Sequence, residues 1–156
     1  MHFLCPATFQ RSSQAARARL KAQLLPIPRA VVDDLALRAH LSLEALRRDC
    51  DEIAPAQHIT EVVLLAKFLS EAGHGEFSHE TLLAADRAMA QVFEGGRERG
   101  IWRVSSDAAF ALLTAVVCVY DQQLQSVSLG ALTTASERLE RFKGGEAYQP
   151  LQKQRA

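Results

Sequence analysis

At 156 residues the chain fits a single domain and is long enough to bury a core without disulfides or metal ions. Its 48% apolar and 23% charged residues exclude an intrinsically disordered chain, and its longest strongly apolar run falls short of a membrane span. The formal net charge of zero hides an uneven distribution. Residues 1–32 carry 5 bases and no acid (+5), residues 33–136 carry 8 bases and 15 acids (−7), and the rest carries 5 bases and 3 acids (+2). A basic arm therefore precedes an acidic body.

Apolar residues recur at three and four spacing almost throughout, with no alternating run between turn signals, so the expected fold is all-α. Five or six helices without a sheet are predicted. The basic arm, residues 1–25, forms a first helix from Thr8 or Ser12 to about Leu25. Its apolar positions are alanine until Leu20, Leu24 and Leu25, too little for a stable isolated helix, so this segment either frays or orders against a partner. The helical domain proper spans residues 26–144, and "PIP" at Pro26 to Pro28 separates the two.

A second helix is expected from Arg29 to Asp49, with Val32, Leu35, Ala39, Leu43 and Leu46 on one buried face and Arg47 and Arg48 where the helix dipole favours cations. "DEIAPAQ" reads as a link, and "HITEVVLLAKFLSEAG" as a third, central helix that stops at Gly73. Ser78 caps a fourth helix running from His79 to about Phe93 or Glu98, with Phe77 and Leu82 as a hydrophobic staple; "EGGRERG" frays and ends it. Trp102 covers the core in a short connection. Ser105 or Ser106 opens the most apolar helix, which contains "AAFALLTAVVCVY" and runs to about Gln125. The third and fifth helices should be innermost. A final helix from Ser128 to Phe142 stops at Gly144, leaving residues 145–156 as a loose tail.

The polar clusters yield no chemistry under the same reading. "EAGHGEFSHE" sets His74 and His79 five residues apart across a loop, whereas helical zinc ligands sit three or four apart, so capping and turning explain the stretch and no metal is expected. Cys5, Cys50 and Cys118 lack the spacing of a disulfide framework or a CxxC site. Cys118 lies in an apolar helix as a packing group, and Asp49 beside Cys50 disfavours a thiolate. No serine or cysteine has a visible base, and neither "GHG" nor "EGGRERG" has the lysine and preceding strand of a phosphate loop. No catalytic residue and no cofactor is expected. "MHFLCPATFQ" has neither the basic leader nor the apolar run of a signal peptide, so a cytoplasmic protein is expected.

What remains is binding. Arg11, Arg17, Arg19, Lys21 and Arg29 are the candidate contacts, because cations without neighbouring acids suit either an acidic protein surface or nucleic-acid phosphates. "SVSLGALTTASERLERF" has the small polar residues of a helix-turn-helix recognition half, but Glu137 and Glu140 follow on that helix and the body is acidic. A protein partner is thus the first expectation and a nucleic-acid-binding regulator the alternative. A homodimer through an exposed helix face stays open.

Three stretches, "LLPIPRAVVDDLALRAHLSLEALRR", "LLAKFLSEAGHGE" and "YDQQLQSVSLGALTTASERLERF", resemble small, poorly characterised proteins of proteobacterial phages, plasmids and integrated elements, over about residues 20–142. Some of those carry a Fis-type regulator label, whose DNA-binding motif has no residue-by-residue counterpart here. The resemblance implies an accessory role in a mobile element, adjusting transfer, expression or host defence by stoichiometric binding, with antagonism of a CRISPR effector or a conjugation component within that range.

Overall fold

The structure, a computed structural model, describes residues 7–148, with side chains described from Ser13 onward. Six α-helices follow in chain order: α1 (Ala7–Gln23), α2 (Arg29–Arg47), α3 (Ala54–Glu71), α4 (His79–Arg99), α5 (Asp107–Ser126) and α6 (Leu129–Lys143). No strand occurs among the described residues. The only extended pairings there are two isolated bridges, Pro26 with Ser128 and Cys50 with Trp102.

Helix α3 packs against α2, α4, α5 and α6, and α5 packs against α2, α3 and α4, so these two form the centre of the bundle as their composition predicts. The reason is the width of the apolar face. On α3, Ala56, Ile59, Val62, Val63, Ala66, Phe68 and Leu69 are all buried, a set too broad for one neighbour to cover. Each fully buried Leu, Ile or Val among them contributes about 1.5–3 kcal/mol from removal of apolar surface from water. The face of α5 is narrower: Leu113, Val116, Val117, Tyr120 and Leu124 point inward, while Ala111, Ala115 and Cys118 are exposed. Cys118 is therefore not the core packing group that its apolar neighbours indicate.

Local chemistry sets the boundaries. The Ser78, Ser106 and Ser128 side chains accept hydrogen bonds from the amides of Thr81, Ala109 and Ala131, capping α4, α5 and α6. Phe77 and Leu82 are both buried, completing the staple at the start of α4. At the end of α3 the His74 amide donates to the Leu69 carbonyl and the Gly73 amide to that of Ser70, with Gly73 at φ 97°, a Schellman ending.

Helix ends differ from expectation in a few places. Helix α3 begins at Ala54, not His58, because Pro55 falls in its first turn, where a missing amide costs nothing. Helix α4 runs to Arg99, one residue past the later of its two expected ends, and closes at Gly100, φ 70°, so "EGGRERG" ends the helix without fraying it. Gly96 is kept in the helix by tertiary packing: a Cβ there would lie 2.1 Å from the Trp102 Nε1, so the glycine makes room for the indole. The Trp102 amide donates to the Cys50 carbonyl and that of Val104 to the Leu46 carbonyl, tying the α4–α5 connection to the end of α2.

Candidate interaction helix

Helix α1 stands apart from this body. It forms because its sequence is mostly alanine, glutamine, arginine, lysine and leucine, the residues that lose least on entering a helix, with Lys21 at the end favoured by the dipole. Every residue from Ser13 to Pro26 is exposed, and the principal helix neighbour of α1 is α6. The described attachment lies at its root. The Leu129 amide donates to the Leu25 carbonyl at 2.9 Å, and Gly130 lets the Gln23 backbone approach.

Leu20 is 63% exposed, and Leu24 and Leu25, just past the helix, are 80% and 57% exposed. At 100° per residue Arg17, Leu20 and Lys21 fall within one face, spaced i, i+3 and i+4, and Leu24 follows in the closing turn, its amide donating to the Lys21 carbonyl at 3.3 Å. Arg19 points to the opposite side. Of the predicted contacts, Arg17, Arg19 and Lys21 are exposed and have no ion pair among the described residues. Arg29 is the first residue of α2, its side chain 95% exposed and 4.0 Å from Asp33, a contact of little energetic weight. The Arg11 side chain lies outside the described residues. The structure thus places Arg17 and Lys21 together and sets Arg19 and Arg29 apart from them.

The remaining polar groups are engaged in holding the bundle. Lys67 is buried, and its ammonium donates to the Phe77 carbonyl at 3.1 Å. The Gln123 side-chain amide donates to the carbonyls of Ala66 and His74, pinning the α3–α4 loop to α5. His74 serves that loop through its backbone, and His79 is exposed at the start of α4. Among the described residues no three of His, Cys, Asp and Glu converge as a metal-binding group. The His58 pKa is lowered, first by burial and then by the Arg38 charge, against an opposing effect of Glu61; its Nε2 is buried and has no partner.

A second cluster ties the start of the tail to the seam between α3 and α6. The Arg138 guanidinium pairs with Glu71 at 2.5 Å and lies 4.1 Å from the centre of the Phe68 ring. The Tyr148 ring stacks on Phe68, centroids 6.2 Å apart, and its hydroxyl donates to Glu71. Tyr148 is therefore docked where the sequence predicts a loose tail. Beside it is an apolar cleft of about 240 Å³ floored by Ala72, Gly130, Ala131 and Ala135, without convergent titratable groups.

Sequence reasoning missed one exposed feature. Leu37 and Leu41, 57% and 60% exposed, lie one turn apart on α2. The signal was present: the buried set Val32, Ala39, Leu43 and Leu46 leaves these two leucines on the other face. No described helix is long and apolar enough to cross a membrane. Comparison of the chain with protein-family models, with curated proteins and with solved structures finds no match.

Proposed function

We propose that this protein acts without catalysis, by stoichiometric binding of a protein partner through α1, as an accessory factor of a mobile genetic element. The observation that carries the reading is the exposed row Arg17, Leu20, Lys21 and Leu24 along the end of α1 and the turn after it, on a helix whose described contacts with the body lie at its root. Two leucines exposed above 60% at the end of a helix are suited to a hydrophobic groove, and the flanking cations suit acidic groups at its rim. Leucine burial supplies the affinity, and the charges speed and orient the encounter. The mobile-element context is supported by the resemblance of residues 20–142 alone.

Nucleic acid is the second reading, favoured by Arg17, Arg19 and Lys21 having no ion pair among the described residues. It is the weaker fit. Phosphate tracking calls for cations along one side, but Arg19 faces away from Arg17 and Lys21, and the leucines between them have no phosphate to meet.

The test is affinity capture from a host lysate with the full chain and with a Leu20→Glu/Leu24→Glu variant, beside gel retardation of duplex DNA across a salt series. A protein captured by the parent and lost by the variant supports the first reading. Retardation that persists at physiological salt and fails in Arg17→Gln/Lys21→Gln replaces it with the second.

A further inference from the structure

We infer that the surface that receives α1 is carried by the chain itself: α1 of one copy docks along the exposed leucine stripe of α2 in a second copy, reciprocally, to form a two-fold dimer. This inference rests on reading α1 as a protein-binding helix and names its partner.

The two stripes match in spacing and in charge. Leu20 in the last turn of α1 and Leu24 just past its end are four residues apart, with Arg17 one turn before Leu20 and Lys21 between the two leucines. On α2, Leu37 and Leu41 have the same separation, with Asp33 and Asp34 one turn before them and Glu44 one turn after. All four leucines are more than half exposed. Laid antiparallel, Leu20 meets Leu41, Leu24 meets Leu37, and Arg17 comes level with Glu44. The parallel alignment brings Arg17 level with Asp34 but sets Lys21 against the permanent charge of Arg38, whereas the antiparallel one sets Lys21 against His40, so the antiparallel alignment is favoured.

Glu44 already lies 3.7 Å from Arg47 and 3.4 Å from Arg48, all partly exposed. Its pairing with Arg17 is thus an exchange of partners in water that sets direction more than strength. Strength comes from the leucines, and reciprocity doubles it: each copy presents both stripes, so the contact closes on itself and leaves neither exposed. Within one chain the pairing is not made. The root of α1 is held at Leu129 and Gly130 on α6, and the stripe of α2 faces away from its own neighbours α3 and α5.

The experiment is sedimentation velocity on the full chain across a concentration series, with Leu20→Glu/Leu24→Glu, Leu37→Lys/Leu41→Lys, and an equimolar mixture of the two. All four positions are exposed and all replacements are good helix formers, so circular dichroism should match the parent; Leu37→Ser/Leu41→Ser serves if the lysine form fails to fold. The parent is expected to dimerise, and each variant alone to weaken the dimer at least about tenfold. The mixture should regain a dimer, since it joins one native seam to one of glutamates against lysines. A monomeric parent at every concentration, or a dimer indifferent to the α2 changes, overturns the inference. If such a monomer still captures another protein through Leu20 and Leu24, the reading of α1 stands while its self-pairing falls; if the α1 variant alters neither property, both fall.

Discussion

The carbonyl oxygen of Gln23 lies 2.9 Å from the position a Cβ would take on Gly130, so the last residue of α1 rests directly on the first turn of α6. A methyl group there meets backbone, not a flexible side-chain end, and the root must shift. Gly130→Ala should therefore loosen α1 and spare the bundle: amide exchange across residues 13–23 accelerates, while global stability falls by less than about 1 kcal/mol, because α1 contributes little buried surface. Unchanged exchange in α1 would show that it is held elsewhere.

The packing of Trp102 on Gly96 predicts a larger effect. Gly96→Ala forces a methyl into the indole, and overpacking of this kind costs about 1–3 kcal/mol, even though alanine is the better helix former. Trp102 is the only tryptophan in the chain, so its fluorescence reports the displacement directly. A red shift with a lowered melting temperature is expected; a stabilised variant with unshifted emission would mean that the indole has room.

The Glu71–Arg138 pair, with side chains 9% and 15% exposed, is buried enough that removing one charge strands the other. Arg138→Met should cost about 3 kcal/mol in denaturant unfolding, and Tyr148→Phe about 1 kcal/mol. Glu71→Gln/Arg138→Met should cost less than the sum of its single changes. Additive losses would show that the two groups do not depend on each other.

Both tyrosines should titrate late. Burial pushes Tyr120 up to about 12, with the Glu61 charge adding to it. Tyr148 is also pushed up to about 12, by burial first and then by its hydrogen bond to Glu71 and that carboxylate's charge, with Arg138 opposing. Since folding raises these pKa values above 10.0, their stabilisation is complete below pH 10 and is lost as pH rises from 10 towards 12. Near-ultraviolet absorbance should show no phenolate at a midpoint of 10 in the folded protein. His58 works in the other direction: its lowered pKa gives stability that is complete above pH 6.5 and is lost as pH falls below it, and His58→Gln should flatten that limb.

Most of the architecture was legible because it is local. Serine caps, the Gly73 ending and the three and four spacing of Val32, Ala39, Leu43 and Leu46 each depend on residues within a few turns. Apart from the start of α3, which Pro55 sets locally, the misreadings of helix ends and tail arose where a distant residue decides. Gly95 and Gly96 look like a helix end until Trp102 is seen lying on one of them, and Tyr148 looks like tail until Phe68 and Glu71 are placed beside it. The candidate site was half legible. A basic segment and the i, i+4 spacing that groups Arg17 with Lys21 apart from Arg19 are visible in the sequence, but the separation of α1 from the core follows from how its root is seated on α6.

The most direct test of α1 as a docking element, not a part of the folding core, compares stability with binding in one variant. For Leu20→Glu/Leu24→Glu, thermal unfolding should stay within a few degrees of the parent while partner retention, whether of a second copy or another protein, falls at least about tenfold. A collapsed melting temperature, or retention equal to that of the parent, would contradict the account.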